Sequence, residues 1–252
     1  MNLFKNLKNY LVLIRIHRTT NFLYVLLGLL YASNFLLSRD LILKLGLVYL
    51  IFAILLYGGI YSLNSYVERF DDLKDGGKRH RLIPSGKVSP REALFVSVTL
   101  ILSSFFLGYL LLPELIIFQL FFLGVNLLYS LVLKRVIPLL AIFTVALTGP
   151  TRFVLGYFLL SQEITLPIPL VHYLCSVAYH SRKFAFAGKI NPFLGNSLNF
   201  LASAAFLTLS IVLSLKGEWL VWIFAAPSLM DSLNYHFNSS YRVSVQKFWN
   251  KE

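Results

Sequence analysis

Apolar runs long enough to cross a lipid bilayer recur along this whole chain, at roughly 21–38, 41–63, 92–112, 114–133, 136–160, 164–180, 194–215 and 218–233. Inside hydrocarbon the backbone must satisfy its own N–H and C=O groups, so each run is expected to be a helix. The 252 residues are 57% hydrophobic and 13% charged, with a mean hydropathy of +0.71. That composition excludes a soluble domain with a large core and implies a multi-pass protein of the cell membrane. The sixth run is short, with Pro167 and Pro169 near its start, and residues 234–252 are too polar for an ordinary ninth span. They are read as a cytoplasmic tail or a shortened last helix. Residues 1–252 then form a single integral membrane domain.

Basic residues give the orientation. They precede the first run (Lys5, Lys8, Arg15, Arg18), follow the second (Arg69 to Arg91) and the fourth (Lys134, Arg135), and separate the sixth from the seventh (Arg182, Lys183, Lys189). More follow the eighth run, whereas only Arg39, Lys44 and Lys216 fall on the opposite side, with Arg152 inside the fifth. The positive-inside rule therefore predicts cytoplasmic N- and C-termini, and a cytoplasmic segment 64–91. The net charge of +12 reflects this asymmetry and attraction to anionic lipid, and is no argument for nucleic acid. The single cysteine, Cys175, lies within a run and permits no intrachain disulfide; it is read as packing. Residues 1–20 are basic without an apolar signal core. They are expected to form an interfacial amphipathic helix with Phe4, Leu7, Leu11 and Ile14 on one side.

The cytoplasmic segment after the second run concentrates charge in a chain otherwise poor in it. Asn64, Glu68 and Asp72 are spaced four apart, so a continuing helix projects them from one face. Asp71 and Asp75 repeat that spacing on an adjacent face, Gly76-Gly77 is expected to end the helix, and Lys78, Arg79 and Arg81 follow. Oxygen ligands in a row, with cations close behind, suit a hard divalent metal and a phosphorylated substrate. A solvated loop of mixed charge is the alternative.

Three further clusters carry candidate chemistry. Arg152 lies deep in the fifth run, in Thr148-Gly-Pro-Thr-Arg-Phe-Val-Leu-Gly156. A guanidinium at mid-bilayer needs partners, because its charge costs about 3 kcal/mol or more there, and Pro150 is expected to break the helix locally. Packing inside the bundle is the alternative. Tyr179-His180-Ser181-Arg182-Lys183 closes the sixth run, and Tyr129-Ser-Leu-Val-Leu-Lys134-Arg135 closes the fourth. Either could bind phosphate or simply anchor its helix at the interface. An acidic, metal-competent row and several cationic helix ends are together expected to form a diphosphate site.

These motifs resemble the UbiA superfamily of intramembrane prenyltransferases. Its first motif, Asn-Asp-x-x-Asp-x-x-x-Asp, corresponds to Asn64-Ser65-x-x-Glu68-x-x-x-Asp72. The following Arg-Pro-Leu-x-x-Gly-x-(Ile/Val)-Ser corresponds to Arg81-Leu-Ile-Pro-Ser-Gly86-Lys-Val88-Ser89. The likeness extends to Arg15 and to the segment from Arg152 to Gly156. Ser65 replaces one acidic residue and Glu68 another. Where the family's second acidic motif, Asp-x-x-x-Asp, should stand, this chain has Tyr179-His180-Ser181-Arg182-Lys183. The polyprenyl-phosphate (decaprenyl-phosphate) phosphoribosyltransferase-like branch is similar in Lys78, Arg81, Tyr129-Ser130…Leu133-Lys134 and the basic pair Arg182-Lys183. It differs at Asp75-Gly76, where that branch has His-Pro.

The resemblance implies an all-α helical membrane bundle of eight to nine transmembrane helices around a central cavity, and Mg²⁺ as cofactor. It implies an isoprenoid lipid substrate, a diphosphate-containing co-substrate and the lipid bilayer as partners. On this reading Asn64, Glu68 and Asp72 hold Mg²⁺. Lys78, Arg79, Arg81, Tyr129, Lys134, Arg182 and Lys183 bind substrate, and Arg152 meets the acceptor. The leading expectation is phosphoribosyl transfer from phosphoribosyl diphosphate to a polyprenyl phosphate. Prenyl transfer to an aromatic or other hydrophobic acceptor is the alternative, and a catalytically degenerate lipid-binding or assembly subunit is the third.

Overall fold

The computed structural model describes residues 3–161 and 166–251; the first two residues of the sixth predicted run lie outside them. Helix α1, Leu3–Leu13, leads through a 3-10 stretch, Ile16–Phe22, into α2, Leu23–Ala32. Long helices follow: α3, Arg39–Lys74; α4, Pro90–Leu111; α5, Pro113–Val136; and α6, Pro138–Phe158. Then come α7, Pro167–Phe186, α8, Pro192–Leu215, α9, Trp222–Phe237, and α10, Ser239–Lys251. No strand occurs among the described residues. Five helices among them, α3 to α6 and α8, are long and apolar enough to cross a membrane. This is a multi-pass, all-helical membrane protein.

Where the structure departs from the apolar pattern, local chemistry explains it. The first run continues to residue 38, but α2 stops at Ala32. Asn34 and Phe35 take left-handed backbone angles, with φ of 47° and 64°, and so turn the chain. In the fifth run helical hydrogen bonding falters at Leu147, between Pro138–Ala146 and Thr148–Phe158. Pro150, with no N–H to offer the carbonyl four residues back, accounts for this. Beyond α9 the polar tail is helical too, but α10 has only 13 residues, a length of about 20 Å that falls short of the hydrocarbon core.

The chain divides into two compact units, Met1–Leu131 with Leu155–Gln162, and Val132–Val154 with Glu163–Glu252. In the first, α3 and α4 pack through small residues. Ser97 donates its hydroxyl to the Gly59 carbonyl at 2.9 Å, and Ser104 to that of Ile51 at 2.9 Å. Gln119 of α5 adds bonds from Nε2 to the Ser104 carbonyl and hydroxyl, both 2.8 Å. Lipid is as apolar as a leucine face, so close backbone approach and interhelical hydrogen bonds hold such helices together. Within α3, Tyr49–Leu56 is wound as π-helix.

Gly156, at the end of α6, meets α2 closely: a Cβ there would lie 1.8 Å from the Val25 carbonyl oxygen. That oxygen is backbone and cannot swing away. Gly156→Ala is expected to lower stability by about 1–3 kcal/mol, the usual cost of overpacking, read as a fall in the thermal midpoint of the purified protein. An unchanged midpoint would mean the two helices are not held this close.

In the second unit α7 is the central element. Asn199 of α8 donates to the Ala178 carbonyl at 3.0 Å and contacts His236 of α9 at 2.9 Å. His172 stacks on Phe224 with ring centroids 4.5 Å apart. Cys175 is buried, with its thiol 3.7 Å from the Phe224 carbonyl oxygen.

Candidate active site

Helix α3 continues beyond its apolar run as the spacing of its polar residues predicted, and it carries Asn64, Glu68 and Asp72 on successive turns. Asn64 and Glu68 are half-buried, and Asp72 is only 4% exposed. The helix ends at Lys74. Asp75 is already extended, with φ −83° and ψ 108°, so it does not form the second helical pair with Asp71 that the sequence suggested. Its carboxylate instead accepts the Gly77 N–H at 3.0 Å and pairs with Lys78 at 2.7 Å. The Lys78 hydrogen bond first, and then the Gly77 amide, hold the Asp75 carboxyl below its ordinary range.

From there the chain folds back in short turns, with Lys78 N–H to Asp75 O at 2.9 Å and Arg81 N–H to Lys78 O at 3.0 Å. These turns send the three neighbouring cations in different directions. Lys78 stays with Asp75. Arg79 donates Nε–H to the Leu73 carbonyl at 2.9 Å, capping the end of α3. Arg81 returns to the acidic row: its Nη1 donates to Asp72 Oδ1 at 2.8 Å and Oδ2 at 2.9 Å, and lies 3.6 Å from Glu68 Oε2. Both carboxylates therefore reach one cationic point.

The loop that presents Arg81 is pinned. Ile83 and Val88 form a buried cluster with Leu13 of α1 and Ala93 of α4, and Tyr10, Tyr66, Leu82 and Val96 pack around it. The amphipathic α1 thus buries Leu13 against the loop, while Leu7 and Leu11 are exposed, 55% and 40%. At the other end Ser89 and Glu92 form a capping box that starts α4.

Immediately after α1, Arg15 sits in the left-handed region, φ 52°, with its guanidinium 5.2 Å from the Tyr61 ring centre. Burial, helped by Arg18 and Arg81, draws its pKa below the ordinary arginine value, while Tyr61 and Glu68 oppose the shift. An arginine so placed keeps its charge and adds a second guanidinium to the acidic row. Tyr129, also in this unit, lies within reach of the Glu68 charge. Ser65 turns its hydroxyl to the Tyr61 carbonyl at 3.0 Å and supplies no carboxylate.

No group of three or more His, Cys, Asp and Glu side chains converges on a metal position among the described residues. The donor set is two carboxylates and the Asn64 amide. Mg²⁺ commonly takes one or two carboxylates and completes its shell with water and substrate phosphate, so this set fits that ion when a phosphorylated ligand is present. The cationic point already shared by Glu68 and Asp72 is the structural sign of it.

The remaining predicted residues lie in the second unit. Lys134, in the last turn of α5, is half-buried, as is Lys183 near the end of α7. Arg152 is half-buried on α6, and its charge acts on His172. Arg182 is 2% exposed and makes an ion pair with Asp231 of α9, reinforced by Nη1–H to the Asp231 carbonyl at 3.1 Å. Tyr241 of α10 donates its hydroxyl to Asp231 Oδ1 at 2.5 Å. Asp231 and Tyr241 are not among the residues the sequence predicts for the site. A carboxylate within an apolar run was the available signal, since such a group needs a partner.

The family model that matches residues 21–191 is the UbiA prenyltransferase family. The chain belongs to that family. It is therefore an enzyme of a membrane-bound class, and the match takes in every predicted site residue from Asn64 to Lys183. Solved structures share the fold. One described for digeranylgeranylglyceryl phosphate synthase in membranes is 21% identical, with a TM-score of 0.70 over 97% of this chain and 93% of that one. A UbiA homologue from Archaeoglobus fulgidus bound to GPP and Mg²⁺ is 14% identical, with a TM-score of 0.69 over 96% of each chain. The same description with DMAPP and Mg²⁺ applies to a structure of 16% identity and TM-score 0.65, covering 96% of this chain and 95% of that one. No curated protein sequence matches the chain.

Proposed function

We propose that this enzyme transfers an isoprenyl group from a prenyl diphosphate to a hydrophobic acceptor within the membrane, with Mg²⁺ as cofactor and the acidic row on the cytoplasmic face. The observation that carries this reading is the convergence of Glu68 and Asp72 on one cationic point, 3.6 and 2.8 Å from Arg81 Nη1. Membership of a prenyltransferase family and fold relatives described with GPP or DMAPP and Mg²⁺ support the donor class.

In the reaction the bond between the isoprenyl carbon and the diphosphate oxygen breaks, and the electron pair leaves with diphosphate. The acceptor's nucleophilic atom then bonds to that carbon, and its proton is lost. Bound Mg²⁺ would neutralise charge developing on the diphosphate. Asn64, Glu68 and Asp72 orient that face of the leaving group, while Arg81 and Arg15 supply positive charge to it. Once diphosphate is bound these groups are in place, so stabilising the departing charge requires little further rearrangement.

Phosphoribosyl transfer to a polyprenyl phosphate is the second reading. The residues favouring it are Lys78, Arg81 and Tyr129-Ser130…Leu133-Lys134, and it uses the same leaving group. Arg182 speaks against it, because that side chain is already committed to Asp231. Purified enzyme in lipid nanodiscs with Mg²⁺ should be given labelled geranyl diphosphate with a panel of lipid-soluble acceptors, and separately labelled phosphoribosyl diphosphate with polyprenyl phosphate. Product only from the first mixture is the expected result; product only from the second would replace the first reading.

A further inference from the structure

Arg81 engages the carboxylates that would hold a metal. Arg81 Nη1 contacts both oxygens of Asp72, at 2.8 and 2.9 Å, and approaches Glu68 at 3.6 Å. The side chains are mostly withdrawn from solvent, with 19% of Arg81, 17% of Glu68 and 5% of Asp72 exposed. Mg²⁺ needs oxygens at about 2.0–2.1 Å in octahedral order, so a guanidinium held against both Asp72 oxygens competes with a metal for them, by occupying lone pairs and by its charge. Arg15, with Arg18 close to it, adds positive charge beside Arg81 and Glu68, which further disfavours a bare dication.

A diphosphate alters that balance. It is polyanionic, and phosphate oxygens accept a guanidinium fork as well as a carboxylate does. The backbone around Arg81 is anchored by Ile83 and Val88, so only the side chain has to swing. We propose that Arg81 is the resident counter-ion of the Glu68–Asp72 pair, and that diphosphate draws it off and thereby opens the pair to metal. Metal and diphosphate then each strengthen the other's binding, by the same factor in both directions. Idle metal binding is suppressed, and the site assembles only around its substrate. This rests on the reading of Glu68 and Asp72 as the metal ligands.

The test uses the full-length protein in lipid nanodiscs, with Mn²⁺ at buffered free concentration as probe and protein-bound metal read by electron paramagnetic resonance. Without diphosphate, Arg81→Gln is expected to bind Mn²⁺ about tenfold more tightly than wild type, because a competing cation is gone. Arg81→Lys, which keeps the charge but loses the fork, should fall between them. Added inorganic diphosphate should raise Mn²⁺ affinity strongly in wild type and far less in Arg81→Gln. The proposal is overturned if both variants bind Mn²⁺ no more tightly than wild type. Glu68→Gln and Asp72→Asn separate that outcome from a failure of the metal-ligand reading. If they leave wild-type Mn²⁺ binding with diphosphate undiminished, the site itself is misassigned. If they abolish it while the Arg81 variants behave like wild type, only the counter-ion role falls.

Discussion

Replacing Asp72 with alanine is expected to lower the rate of prenyl transfer by about 10²- to 10³-fold, the scale on which fixed electrostatic partners of a developing charge act. Asp72 is the most buried of the three proposed ligands, at 4% exposure, and its two oxygens are the ones Arg81 grips. On the proposed reading its loss removes a metal ligand, and it also strands Arg81, whose side chain is 19% exposed. The same substitution should therefore destabilise the fold. A double substitution, Asp72→Ala with Arg81→Ala, separates the two effects: it should recover much of the thermal stability and none of the activity. Glu68→Gln, farther from Arg81 at 3.6 Å, should cost less activity than Asp72→Ala. The measurement is steady-state transfer from labelled prenyl diphosphate at saturating Mg²⁺. Wild-type turnover in the Glu68→Ala, Asp72→Ala double variant would leave only a non-catalytic role for the acidic row.

The second large effect belongs to the carboxyl-terminal helices. Asp231→Ala should destabilise the protein by about 3 kcal/mol, because it leaves the Arg182 guanidinium buried without its counter-charge. Arg182 is 2% exposed and draws two contacts from Asp231, the carboxylate and the main-chain carbonyl. Tyr241 completes the group with a 2.5 Å hydrogen bond, so Tyr241→Phe should cost about 1 kcal/mol, the usual worth of one such bond. Replacing both charged partners with apolar residues of similar volume, Arg182→Met with Asp231→Leu, should be far milder than either loss alone. Thermal unfolding in one detergent or nanodisc preparation measures all three variants. If Asp231→Ala unfolds at the wild-type temperature, Arg182 does not depend on this pair and is again a candidate for phosphate.

Arg182 illustrates where sequence reasoning reaches its limit. At the end of a basic cluster, in the place of a missing acidic motif, it read as a phosphate ligand. Its partner stands 49 residues further on, in a different helix, and nothing local to either residue announces the pairing. Arg81 is the opposite case. Its offset from Asp72 is legible and its membership of the site follows from resemblance, yet Lys78 and Arg79, three and two residues earlier, look equally suited. The turns after Asp75 separate them, and those turns depend on the Asp75 side chain accepting Gly77 N–H and on the loop packing against α1.

Residue order alone implies a bundle of membrane helices and places Asn64, Glu68 and Asp72 on one helix face. Both follow from local rules: apolar length against bilayer thickness, and a spacing of four against 3.6 residues per turn. Which cation meets which carboxylate is visible in the folded chain alone. Charge pairing depends on a few ångströms between residues that chain distance does not order, and burial turns each such pairing from a weak surface contact into a strong constraint.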